Sequence, residues 1–273
     1  MTSSKPLPST KYPITVEDQL GFSVTLSHAP QRIVSLVPSI TSTLFDLGLE
    51  GKIVGRTKFC IHPKEKINSV PIIGGTKNLN IPKIKSLQPD LFIANKEENK
   101  QSQIEFLQQH YNVWITDIVT LSDNYNMIEQ IGRLTDCSFE AKQINQEINQ
   151  NFKSLTTLPR QNVAYFIWRA PFMVAGHHTF INSILETIGL NNIFKAYPGR
   201  YPKISLEQLK QASPELILLS SEPYPFKQNH IDEFKQIVPT AKIILVDGEM
   251  FSWYGSKMIK APSYYSNQLK SQL

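Results

Sequence analysis

Ile84-Lys85-Ser86-Leu87-Gln88-Pro89-Asp90-Leu91-Phe92-Ile93 is matched 125 residues further on by Leu209-Lys210-Gln211-Ala212-Ser213-Pro214-Glu215-Leu216-Ile217-Leu218. Each copy reads as the end of a helix, a proline stop, an acid and an apolar run short enough to be a buried strand. Helix, proline, acid and strand also form a common connection between a helix and a strand, so the match gains its weight from its surroundings. Asp117 follows Val113-Trp114-Ile115-Thr116, and Asp247 follows Ile244-Leu245-Val246, which extends the likeness at an offset of 130. A likeness repeated along the chain predicts two similar lobes.

Outward from these copies the pattern stays alternating. Leu91-Phe92-Ile93-Ala94, Val113-Trp114-Ile115, Val163-Ala164-Tyr165-Phe166-Ile167, Leu216-Ile217-Leu218-Leu219 and Ile243-Ile244-Leu245-Val246 are separated by segments with helical character. Strands alternating with helices predict an α/β fold with mainly parallel sheets, two Rossmann-like lobes in all. Near the N-terminus, Ile14-Thr15-Val16 and Phe22 to Leu26 flank Asp18-Gln19-Leu20-Gly21 and predict a β-hairpin. Arg32 to Val37 reads as a strand running into a helix, with Ser39 as the expected N-cap and Gly48 closing the other end. Arg133 to Leu158 holds neither Gly nor Pro, and Ile144, Ile148, Phe152 and Leu155 recur at helical steps. This predicts one long helix ended by Pro159. The expected organisation is a polar tail (1–13), an N-terminal α/β lobe (14–133), a bridging helix (134–159) and a C-terminal α/β lobe (160–273).

Composition excludes several classes of function. The chain has 273 residues, 41% hydrophobic and 19% charged, with 14 Phe and 10 Tyr to fill cores. It is therefore a globular sequence rather than a disordered one. The net charge of +5 is spread thinly, which is no nucleic-acid footprint. No apolar run approaches the roughly 20 residues of a membrane span. Met1 to Tyr12 is rich in Ser, Pro and Lys and has no apolar core, so it reads as a tail and not as a secretory signal. Cys60 and Cys137 lack the Cys-x-x-Cys spacing of a thiolate metal site and are expected to be free thiols. Neither a Gly-x-Ser-x-Gly elbow nor a His-Glu-x-x-His helix is present, so no enzyme activity is expected. Gly74-Gly75 lacks the residues that would complete a phosphate loop and reads as a turn.

The order and spacing of several segments carry a family likeness. Gln31 to Ser39, Leu47-Gly48-Leu49, Val54-Gly55, Ile84 to Leu91, Ile188-Gly189-Leu190-Asn191-Asn192-Ile193-Phe194 and Ile204-Ser205-Leu206-Glu207-Gln208-Leu209 together resemble class III, helical-backbone substrate-binding proteins. These serve ABC importers of cobalamin, haem and ferric siderophores, and the cobalamin-binding branch looks most similar. The likeness covers roughly residues 14 to 273. It implies a rigid helix joining the two lobes and a ligand held between them. It also implies no intrinsic cofactor, a monomer, a location in the periplasm or cell envelope, and an ABC permease as partner. Without a secretory signal, the cytoplasm is the alternative. From another class, a tetrapyrrole or metal chelatase-like enzyme shares the general architecture by fold analogy.

Open α/β sheets place ligands just beyond the carboxyl ends of their strands. Four segments qualify: 56–63, 95–99, 168–178 and 248–254. The candidate ligand-binding residues are Phe59, His62, Glu98, Trp168, Arg169, Phe172, Tyr201, Phe251 and Trp253. Phe59 and Tyr201 fall where the cobalamin-binding relatives carry aromatic residues, and such rings suit flat macrocycles of a cobalt corrinoid or an iron chelate. Thr76 stands where those relatives have a large aromatic, which leaves room for a ligand of another shape. His62 and Cys60, two residues apart, are the candidate metal ligands, because alternate positions of an extended segment face one way. His177-His178 is a weaker pair, since adjacent residues diverge. Glu97 and Glu98 are either the start of a helix, where acids suit the macrodipole, or acceptors for ligand groups. Arg169 is either paired with one of them or free to grip an anionic group. By the same likeness Glu207 matches an exposed acid that docks on the permease, and its N-lobe counterpart is the uncharged Pro82.

Overall fold

The computed structural model describes residues 11–273. The polar tail therefore lies almost wholly outside the described residues. The chain divides into two compact units, Met1–Asp117 with Ser122–Asn149, and Ile118–Leu121 with Gln150–Leu273.

Unit 1 opens with the expected hairpin. β1 (Ile14–Glu17) pairs antiparallel with β2 (Ser23–Leu26), and Gly21 takes the positive φ that its turn requires. Then come β3 (Ile33–Ser35), α1 (Pro38–Asp46), β4 (Ile53–Arg56), α2 (Ile81–Ser86), β5 (Leu91–Asn95), α3 (Gln101–Gln108) and β6 (Val113–Thr116). The four strands from β3 to β6 form a parallel sheet in the order β4-β3-β5-β6. Every residue of β5 is buried, as the apolar run predicts for a strand covered on both faces. Ser39 does not cap α1. Pro38 suits the first helical position, where its missing N–H is no loss, so the helix begins there with Val37 as the cap residue and Ser39 buried inside. Gly48, with φ of 76°, does end the helix.

The expected helix over 134–159 is shortened at both ends, and a separate helix precedes it. α4 (Leu121–Thr135) and α5 (Ser138–Lys153) are separated by Asp136, which takes the left-handed conformation at φ of 61°. The break leaves the two helices free to fold against each other at Gly132, where a Cβ would stand 2.5 Å from the Cβ of Ala141. α5 also ends five residues before Leu158, whose N–H instead donates to Ile188 O. The division between the units falls inside α5.

Unit 2 continues with β7 (Asn162–Trp168), β8 (Met173–Val174), α6 (Phe180–Thr187), β9 (Asn191–Asn192), α7 (Leu206–Ala212), β10 (Leu216–Ser220), α8 (Gln228–Ile237), β11 (Lys242–Val246) and α9 (Glu249–Ser252). Its sheet runs β11-β10-β7 in parallel. β9 joins the first residues of β7 in parallel, and β8 joins the last ones antiparallel. Phe166, Phe194, Phe234, Ile217 and Leu219 anchor its core.

The repeated stretch adopts the same conformation in both units. Gln88 and Ser213, equivalent residues before the prolines, are both left-handed at φ of 44°. Asp90 accepts from the N–H groups of Gln31 and Arg32 and donates its own N–H to Arg32 O. Glu215 accepts from Asn162 N–H and returns its N–H to Asn162 O. In each copy the acid thus ties its strand to the neighbouring one, β5 to β3 and β10 to β7. The likeness reaches back to the helix starts, where Asn80 accepts from Lys83 N–H and Ser205 from Gln208 N–H.

Candidate functional site

In unit 1 the carboxyl end of the sheet is assembled by buried polar side chains. Asn95, the last residue of β5, accepts from Glu97 and Glu98 N–H at 2.9 and 3.0 Å and donates to Thr116 at the end of β6. Glu97 and Glu98 therefore sit in a turn built on Asn95, and α3 starts only at Gln101, so they are not the opening of a helix. Glu98 keeps an exposed surface, yet the loss of hydration around its carboxyl raises its pKa; Glu97 adds to the rise and Lys77 opposes it. Beyond β4, buried Arg56 donates to the carbonyls of Thr57, Cys60, Ile67 and Val70 and so folds the segment that carries Phe59. Phe59 is 50% exposed, with the Lys58 ammonium 5.1 Å from its ring centre. Gly74-Gly75 is a turn, closed by Gly75 N–H to Asn78 O, and Gly74 has a positive φ where a Cβ would strike Asn78 O at 2.3 Å.

Cys60 and His62 do not share surroundings. Cys60 is fully buried, its Sγ within 3.1 and 3.2 Å of the hydroxyls of Thr41 and Thr57, whereas His62 is partly exposed. Burial pushes the Cys60 thiol up in pKa, against the pull of those hydroxyls, so the thiolate that a metal would need is disfavoured. Cys60 is a packing residue. The turn Thr57–Cys60, closed by Cys60 N–H to Thr57 O, breaks the extended geometry that alternate residues need to face one way. Among the described residues no group of three or more His, Cys, Asp or Glu side chains is arranged to hold a metal ion.

In unit 2, Trp168 closes β7 with 38% of its surface exposed and meets Tyr224 edge-on at 5.6 Å. Tyr224 was not among the candidates; its place between two prolines, Pro223 and Pro225, marks a loop but gives no sign of what it faces. Arg169 has its partner within unit 2. It makes two parallel 2.8 Å bonds to Glu233 on α8, which hold the guanidinium and raise its pKa. Phe172 is half-buried and packs edge-on against Phe166 and Phe234, at the margin of the core. Tyr201 is half-buried in the segment that runs beside β8, where Val174 N–H donates to Pro202 O. His177 and His178 meet edge-on, their ring centres 4.2 Å apart.

Phe251 and Trp253 correct the expectation of a ligand-facing loop. The loop's first turn is helical, α9, which turns Phe251 inward: it is fully buried against Tyr165 and Tyr265 at 5.1 and 5.3 Å. Trp253 is only 8% exposed, and the Lys257 ammonium, itself paired with Glu249, lies 5.4 Å from its ring. Glu207 is exposed on the first turn of α7. Its carboxylate is drawn below the usual range by its own backbone N–H, then by the Ser205 hydroxyl and Lys210, so it has local partners. Pro82, at the equivalent place on α2, is also exposed.

A concavity of about 530 Å³ lies elsewhere in unit 1, between α4 and α5, lined by polar side chains such as Tyr125, Glu129, Arg133 and Lys142. It is an open groove between helices, away from the strand ends.

Residues 33–242 match the family described as periplasmic binding protein. The chain belongs to that family. Periplasmic binding proteins bind ligands and are not enzymes, and the chelatase-like alternative falls with this membership. The chain is 27% identical to an uncharacterized ABC transporter substrate-binding lipoprotein, YvrC, of Bacillus subtilis, covering 95% of this chain and 88% of that one. It is 26% identical to a vitamin B12-binding protein of Photorhabdus laumondii, with 91% of each covered. Among solved structures, a possible iron-binding, periplasmic solute-binding protein of Staphylococcus epidermidis superposes with a TM-score of 0.75 at 23% identity, covering 90% of this chain and 99% of that one. The shared fold of periplasmic binding proteins accounts for the two α/β units. Among the described residues no helix is long and apolar enough to cross a membrane.

Proposed function

We propose that this periplasmic binding protein is the substrate-binding component of an ABC importer for a metal chelate, a cobalt corrinoid first. The observation that carries the reading is the pair of large aromatic rings left exposed at strand ends, Phe59 beyond β4 and Trp168 at the end of β7. Exposed rings cost solvation unless a ligand covers them, and flat, partly apolar macrocycles are covered well by such surfaces. Tyr201 and Tyr224 supply further aromatic surface, and His62, Glu98 and Arg169 supply polar groups that orient the ligand. The chelate arrives with its metal, so no cofactor of the protein's own is invoked, and His62 is the one side chain retained as a candidate metal ligand. Similarity to a vitamin B12-binding protein supports the corrinoid. A ferric siderophore or haem is the second reading, supported by the likeness to a possible iron-binding protein. The importer role includes a permease partner met through Glu207, a monomeric state and a place in the cell envelope.

Native mass spectrometry of the purified chain against a mixture of cyanocobalamin, haemin and ferrioxamine B tests the reading. A one-to-one complex with cyanocobalamin is the expected result. A complex with an iron chelate alone moves the assignment to the second reading, and no complex with any of the three removes both.

A further inference from the structure

Asn99 is 5% exposed, and every polar atom of its side chain is spent on the main chain of a different strand-end segment. Its Oδ1 accepts from Asn95 N–H at 2.8 Å, and its Nδ2 donates at 3.2 Å to Leu36 O and at 3.2 Å to Thr76 O. Leu36 directly follows β3, Asn95 ends β5, and Thr76 lies in the Gly74–Asn78 turn. One amide thus ties the Thr76 turn to the ends of β3 and β5, which are themselves joined by Leu36 N–H to Ile93 O. Asn95 then carries the connection on to Thr116 and to the turn bearing Glu97 and Glu98. The chemistry needs an amide: two carbonyls must receive donors and one N–H must find an acceptor, which neither a carboxylate nor an alkyl group supplies.

We propose that Asn99 is the positioning residue of the binding face of unit 1, setting where the Thr76 turn and the Glu97–Glu98 turn stand relative to the end of β3. The inference rests on the reading of this face as ligand-binding. Asn99 does not itself meet ligand; it acts through the backbone of Thr76 and through Asn95. In unit 2 the residue equivalent by the repeat is Tyr224, which bonds to His230 instead, so the device belongs to unit 1 alone among the described residues.

The test compares Asn99→Asp with Ile148→Ala, a fully buried change on α5 that lowers stability without touching this cluster. Asn99→Asp keeps the acceptor for Asn95 N–H but sets a carboxylate against two carbonyl oxygens. Amide hydrogen exchange should rise about tenfold or more in 74–78 and 95–98 in Asn99→Asp and not selectively in Ile148→Ala. Affinity for whichever of cyanocobalamin, haemin and ferrioxamine B the native chain binds should fall about tenfold in Asn99→Asp and stay unchanged in Ile148→Ala. Unchanged exchange in both segments overturns the proposal, as does faster exchange with undiminished affinity. A native chain that binds none of the three probes sinks the functional reading instead, and the exchange comparison still decides whether Asn99 holds the face.

Discussion

Glu98 shows how a local environment turns into a measurable property. Desolvation first and Glu97 second raise its folded pKa above the ordinary 4.5. The unfolded chain therefore releases this proton at lower pH than the folded one. From pH 4.5 upward to the raised value the folded state holds more protons, and stability falls as pH rises through that window. Glu98→Gln should remove this fall and raise the melting temperature at neutral pH. Thermal melts from pH 4 to 8 check it, and a variant whose pH profile overlays the native one would show that the carboxyl is well hydrated. Phe251 illustrates the opposite case, a residue whose neighbours in sequence suggest a loop surface and whose neighbours in space are Tyr165 and Tyr265. Phe251→Ala should cost about 3–5 kcal/mol in denaturant unfolding, as expected for emptying a packed aromatic site. A loss below about 1 kcal/mol would return Phe251 to the surface.

The elements were legible where a residue's own chemistry decides its conformation. The apolar runs became strands, and the proline-acid repeat became two equivalent connections because Asp90 and Glu215 have the reach to accept from a neighbouring strand's N–H groups. Asp90→Ala should destabilise unit 1 by about 1–3 kcal/mol, since it strips an acceptor from two N–H groups at once. Denaturant titration measures this, and a change near zero would mean that water replaces the carboxylate without loss. Illegible features depend on contacts made across the fold. Nothing between Arg133 and Leu158 forbids one continuous helix, and the break at Asp136 reflects the packing of α4 on α5 through Gly132. Burial of Cys60, the Arg169–Glu233 pair and the role of Asn99 likewise depend on partners that lie far away in sequence. The segments at the strand ends were readable; which of their side chains face outward was not, because a single helical turn such as α9 reverses the answer.

For the whole molecule, family membership makes the chain a periplasmic binding protein, and the proposal that it takes a metal macrocycle stands or falls on the rings exposed at the strand ends. Trp168, exposed at the end of β7, is the built-in reporter, whereas Trp114 is fully buried in unit 1. Titration of the chain with cyanocobalamin, followed by tryptophan emission in the native protein and in Phe59→Ala and Tyr201→Ala, tests the central claim most directly. Saturable quenching is expected in the native protein, with affinity weakened by about 1–3 kcal/mol, roughly ten- to a hundredfold, in each alanine variant. Quenching that never saturates, or equal affinity in all three proteins, would contradict it.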